Sequence, residues 1–122
     1  MLANENLMAF ISTSQPAAAR QFYEGVLGLT FLIDDPHLLV FGSGDARVMI
    51  QKSDQPVVPP HGTAMGWHVA DLRATVQALM ARGVAFERGE LPQDDLGIWS
   101  PAPGHGVAWF FDPDGNRLSV SN

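Results

Sequence analysis

The 122-residue chain is 46% hydrophobic and 16% charged, which excludes a disordered polypeptide and fits one compact domain with a real core. Zero cysteines exclude disulfides, thiolate metal ligands and a cysteine nucleophile, and fit a cytoplasmic protein. A formal net charge of -6 argues against a nucleic-acid partner, whose phosphates must be neutralised by Lys and Arg, and favours a neutral or cationic small ligand.

No apolar run approaches the roughly 18–20 residues that cross a bilayer, so no membrane partner is expected. The opening MLANENLMAF lacks a basic segment followed by a long apolar stretch, and no signal peptide is expected from it. The first predicted strand is LMAFIST (7–13). In QPAAARQFYEGVLGLTF (15–31), Ala19, Phe22, Tyr23 and Val26 recur at helical spacing, Gly28 is a stop, and an apolar strand follows. FGSGDARVMIQ (41–51) then reads as strand, turn and strand. KSDQPVVPPHG (52–62), with its prolines, reads as a linker.

The same order recurs beyond it. TAMGWHV (63–69) is a strand, and DLRATVQALMARGVAF (71–86) a helix with Asp71 as N-cap, an apolar stripe of Leu72, Val76, Leu79 and Met80, and Gly83 as stop. Phe86 answers to Phe31, 55 positions on, and FDPDGNRLSVS (111–121) lies over FGSGDARVMIQ at an offset of 70, matching Arg47 with Arg117 and Met49 with Ser119. The offset grows because ERGELPQDDLGIWSPAPGHG carries an insertion with Trp99 and His105, and a long loop in a compact domain is usually functional. Asp112 and Asp114 read as turn-forming residues rather than a catalytic pair. There is no phosphate loop, GxSxG elbow or HExxH motif.

FYEGVLGLTF, HVADLRATVQALMARGVAF and the closing FFDPDGN resemble the vicinal oxygen chelate superfamily, which includes glyoxalase I, extradiol dioxygenases, fosfomycin-modifying enzymes and the bleomycin-resistance proteins. The resemblance spans essentially the whole chain. It implies an α+β fold of two tandem βαβββ modules, about 5–52 and 63–122, whose curled mixed sheets enclose a cavity. It also implies a homodimer.

In metal-dependent members of that superfamily, ligands come from the first and last strands of each module. Counting from the shared motifs puts Met8, Met49, Ala64 and Ser119 at those places. Alanine has no donor, serine is a poor ligand, and thioether suits soft Cu(I), so no metal and no cofactor are expected. Strand parity adds Phe10, Ser12, Gln51, Gly66 and His68 to the same face, with Trp109 near Ser119 across the last hairpin. Trp67, on the opposite parity, is expected to pack under the helices.

Each of these residues has a plainer reading. His68 fits a hydrogen-bonded histidine at the sheet rim, a ligand contact or a metal ligand. His105, between glycines, fits an ordinary turn or a close approach to ligand. Trp109 fits pocket or core, and Trp99 fits a cover over the pocket mouth. His37 and His61 fit solvated loop residues. A set of His68, His105 and Glu90 or Asp94 is a minor metal alternative.

The expectation is a binder of a small hydrophobic or cationic molecule, resembling the bleomycin-resistance branch, with Met8, Phe10, Met49, Gln51, Ala64, Gly66, His68, Trp99, His105, Trp109 and Ser119 as ligand contacts and no catalytic residue. The alternative is a lyase, isomerase or dioxygenase with a non-standard metal site, or with His68 as general base. A third is a family member acting only through its dimer surface.

Overall fold

The computed structural model describes residues 1–122 and divides into two compact units, Met1–Val58 and Pro59–Asn122. Each unit holds one four-stranded mixed sheet that is open at its edges, with one helix following its first strand, so the fold is α+β with two tandem modules. No helix is long and apolar enough to cross a membrane.

In the first unit β1 (Met8–Thr13) leads into α1 (Pro16–Arg20), followed by β2 (Thr30–Asp34), β3 (Leu38–Ser43) and β4 (Ala46–Lys52), in sheet order β1-β4-β3-β2. Pro16 opens α1, where its missing N–H costs nothing. The helix then widens into π-helical turns over Gln21–Val26, with Leu27 N–H donating to the Phe22 carbonyl at 2.9 Å. Gly28, at φ 73°, ends it, and Leu29 N–H caps the Tyr23 carbonyl. The widening belongs to the packing: Tyr23 is fully buried, 5.9 Å from Phe41 and edge-on to Phe22 at 5.1 Å. Ile11, Thr13, Leu39, Phe41, Val48 and Ile50 form the helix-covered side of the sheet, all buried. Each large side chain in that layer contributes roughly 1.5–3 kcal/mol by leaving water.

In the second unit β5 (Met65–His68) pairs parallel with β8 (Arg117–Ser121), which pairs antiparallel with β7 (His105–Phe111), and β6 (Trp99–Ala102) lies at the edge. α2 (Leu72–Ala81) starts on Asp71, whose Oδ1 accepts from Ala74 N–H at 3.0 Å, as the sequence predicts. Leu72, Val76 and Leu79 are buried, but Met80 is 44% exposed and lies outside the apolar stripe. Gly106 lets helix and sheet approach, since a Cβ there would stand 2.8 Å from both Leu72 Cδ2 and Ile98 Cγ2. Trp67 is half-buried on the helix side, opposite Val120.

Two details of the predicted repeat need correction. The segment around Phe86 is not a strand; it crosses the edge of β7 with one backbone bond, Glu87 N–H to the Trp109 carbonyl at 2.7 Å, and Phe86 packs on Phe110 at 5.4 Å. The third strand of this module is β6, from within the insertion, because Trp99 takes the next position along the β7 edge, opposite Val107. The hairpins also differ by one residue: Arg47 pairs with Gly42, whereas Arg117 pairs with Phe111. Buried Phe110, not half-exposed Phe111, is therefore the counterpart of Phe41. The extra residue sits in the Asp112–Asn116 turn. Asp112 Oδ1 accepts from Asp114 and Asn116 N–H, both 2.9 Å, and Oδ2 from Asn116 Nδ2 at 2.8 Å. That confirms the turn-forming role of this acidic segment.

Candidate functional site

In each module the helix covers one side of the sheet and leaves the other bare of helix. Strand alternation sends the predicted site residues within β1, β4, β5 and β8, and Trp109 of β7, to that second side. In the first unit it carries Met8, Phe10, Ser12, Met49 and Gln51, with Phe10 paired to Met49 and Met49 to Val40. Met8 and Phe10 are about half exposed and Gln51 is exposed, while Met49 is buried. Leu32 and Ile33 on the edge strand are exposed as well. The guanidinium of Arg47, at the head of β4, donates only to its neighbour, the Ala46 carbonyl at 3.3 Å.

The second unit builds a different surface from the same scaffold. Gly66 pairs with Ser119 and Ser119 with Trp109, so three predicted residues lie in one row across β5, β8 and β7. Gly66 is needed there, since a Cβ would stand 2.2 Å from Ser119 Oγ and 3.1 Å from its carbonyl oxygen. The His68 side chain is exposed next to this row and has no hydrogen-bond partner within the chain, so the hydrogen-bonded rim histidine is not what forms. Ala64 lies just ahead of β5, its N–H donating to the Arg117 carbonyl at 2.8 Å.

Trp99 is half-buried in a strand rather than in a covering loop, and it stacks on Trp109 with ring centroids 5.9 Å apart and planes 27° from parallel. The Trp109 indole N–H donates to Thr63 Oγ1 at 3.1 Å. The Arg117 guanidinium packs 4.6 Å from the Trp109 ring centroid and gives two hydrogen bonds, 2.9 and 2.7 Å, to Glu87 Oε2. Trp109, Arg117 and Glu87, with Gly89, Glu90, Leu91 and Gln93, line a cleft of about 300 Å³. Its outer wall is held by one side chain. Gln93 Oε1 accepts from Gly89 N–H at 3.0 Å, and its Nε2 donates to the Glu87 and Gly97 carbonyls at 2.9 and 3.0 Å.

His105 opens β7, its Nδ1 3.3 Å from the Asn122 carbonyl. It lines a different cleft, about 380 Å³, with Asp71, Arg73 and Asp94, and the two clefts share no residue. Asp94 there is fixed by its loop. Partial burial pulls its pKa up, but the N–H groups of Ile98 and Leu96 and the charges of Arg73 and Arg88 outweigh this, and its pKa lies below the usual 3.8.

The fold family implies a divalent metal for its metal-dependent members, and the donors present do not fit one. The four positions reached by counting from the shared motifs, Met8, Met49, Ala64 and Ser119, carry no imidazole or carboxylate. No three His, Asp or Glu side chains converge anywhere in the chain. The alternative set of His68, His105 and Glu90 or Asp94 does not form: His105 and Asp94 share one cleft, but His68 lines neither, and Glu90 lines the other.

Residues 7–120 match the model of the glyoxalase/bleomycin resistance protein/dioxygenase superfamily, and the chain belongs to that superfamily. Solved structures agree on the fold. A glyoxalase family protein from Enterococcus faecalis is 25% identical over all of both chains, with a TM-score of 0.71. An antibiotic binding protein from Streptomyces sp. CB03234 is 24% identical, covering 98% of this chain and 96% of its own, with a TM-score of 0.72. A lactoylglutathione lyase from Agrobacterium tumefaciens is 18% identical, covering 97% and 92%, with a TM-score of 0.73. No curated protein sequence matches the chain significantly.

Proposed function

We propose that this protein binds a small, planar, drug-like molecule or secondary metabolite without a metal, sequestering it in the manner of the bleomycin-resistance branch. The observation that carries this reading is the Trp99–Trp109 pair beside the Gly66–Ser119 row, on the face where metal-dependent members place their ligands. Stacked indoles with a hydrogen-bonded polar fringe offer a large, rigid surface to a planar ligand, at about 0.5–1.5 kcal/mol per aromatic contact beyond burial. The likeness to an antibiotic binding protein along nearly its whole length is consistent with this use.

A second reading rests on His68, whose side chain stands exposed beside the same row and would act as the general base. One experiment separates the two. Tryptophan emission is titrated with a panel of planar aromatic antibiotics and dyes, and the compound is then recovered and analysed. A binder quenches saturably at one equivalent per chain, loses affinity in Trp99→Ala, and returns the compound unchanged. Consumption of the compound that stops in His68→Ala establishes the enzyme instead.

A further inference from the structure

The 300 Å³ cleft beside Trp109 also carries a charge preference, read from which of its polar groups are already engaged. Most of its side-chain N–H groups are committed internally. The Trp109 indole N–H goes to Thr63 Oγ1, Arg117 Nε and Nη2 go to Glu87 Oε2, and Gln93 Nε2 is shared by two carbonyls. Three N–H groups stay unused, two on Nη1 and one on Nη2, all on Arg117, whose charge is met by Glu87.

The free acceptors differ in carrying a charge that no cation in the lining meets. Glu87 spends Oε2 on Arg117 and keeps Oε1, while the Glu90 carboxylate makes no hydrogen bond or ion pair at all. Arg117 cancels the charge of Glu87, so the lining is left with the negative charge of Glu90 and three acceptor oxygens (Glu87 Oε1 and both oxygens of Glu90) to be met by donors from outside. A carboxylate or phosphate ligand would meet that charge, and the side-chain N–H groups open to it belong to an arginine already paired with Glu87. An amine, amidinium or guanidinium meets free acceptors and an unpaired opposite charge. The cleft is also shaped in advance, since Gln93 pins residues 87–97 into a wall through three hydrogen bonds.

We propose that the cleft bounded by Trp109, Arg117, Glu87 and Glu90 is a binding site for planar ligands that carry a cationic N–H donor, with Glu90 as the residue that selects for the cation. This rests on the metal-free binding reading above and narrows its ligand class. Glu87 is the less suitable partner, because engaging it fully means taking it from Arg117.

The test uses three probes of one ring system in isothermal titration calorimetry with the full chain: 9-aminoacridine (cationic), acridine (neutral at pH 7.5) and acridine-9-carboxylate (anionic). The cation is expected to bind about tenfold tighter than acridine, and the anion weakest, since one additional charge-assisted contact is worth about a factor of ten. Glu90→Gln should remove the advantage of 9-aminoacridine and leave the affinity of acridine as it was. Glu90 is exposed and unpartnered, so this variant should keep the parent Tm. Raising NaCl should shrink the preference in the parent and not in Glu90→Gln. Equal affinity for the three probes, or a preference that survives Glu90→Gln, overturns the cation selectivity. If acridine still binds and loses affinity in Trp99→Ala, the metal-free binding reading stands without it. Failure of all three probes to bind overturns both.

Discussion

Gly66→Ala probes the Gly66–Ser119 row directly. A Cβ at residue 66 would meet Ser119 Oγ at 2.2 Å, Ser119 O at 3.1 Å and Ser119 Cβ at 3.5 Å. Rotating the serine relieves the first contact, but the second is to backbone and requires β5 or β8 to give by a few tenths of an ångström. Overpacking of this kind costs about 1–3 kcal/mol, and replacing glycine in a strand returns about 0.5–1 kcal/mol of backbone entropy. The net expectation is a loss of about 1 kcal/mol. Ser119→Ala alone should change stability by less than about 0.5 kcal/mol, since it removes a half-exposed hydroxyl. In the double variant the hydroxyl clash is gone and the carbonyl is the one tight contact left, so the two changes should couple favourably by about 0.5–1 kcal/mol. Urea denaturation of the four proteins at one pH measures the cycle. A stabilising Gly66→Ala, or strict additivity with Ser119→Ala, would refute the placement of these side chains and the geometry built on it.

Asp112→Ala removes the acceptor for three hydrogen bonds in the last turn and should cost about 2–4 kcal/mol by urea denaturation, well above an average surface substitution. Gln93→Ala should open the cleft wall without unfolding the chain. Hydrogen exchange at the Gly89 amide should quicken while the Ala74 amide, bonded to Asp71, is unchanged. In acid, the Asp35 carboxylate is held below 3.8 first by the N–H of His37 and then by that of Leu38. Its folded pKa is depressed, so its contribution is present above pH 3.8 and fades as pH falls through the lower folded value, as does that of Asp94. Carboxyl NMR titration should place both midpoints below 3.8; a midpoint at or above it contradicts the turn geometry.

Much of the architecture was legible in the sequence because both modules use the same signals. Helical spacing around Tyr23 and Val76, glycine stops and strand parity suffice to divide helix-covered from uncovered sides, and parity alone gathers Gly66, Ser119 and Trp109 into one row. The misreadings have local causes. The Asp112–Asn116 turn holds one residue more than its counterpart, which shifts Phe110 rather than Phe111 onto the core. Trp99 reads as loop because Pro101 and Pro103 crowd its segment, yet the free edge of β7 recruits it as a strand. The cleft itself was missed. Glu87 and Arg117 are thirty positions apart, and nothing in the local pattern of either announces the pair. The Arg47–Arg117 repeat was visible, but only the second arginine has a tryptophan beside it and a carboxylate within reach.

The central claim is that this scaffold binds small molecules without a metal, and the most direct measurement is elemental analysis of the untagged, chelator-free protein after incubation with excess Zn, Mn, Ni and Fe(II) and desalting. The account predicts that less than about a tenth of an equivalent of any of these stays bound, because no three suitable donors converge. Retention of about one equivalent, released by His68→Ala, would contradict it and make this chain a metalloprotein with ligands away from the family positions.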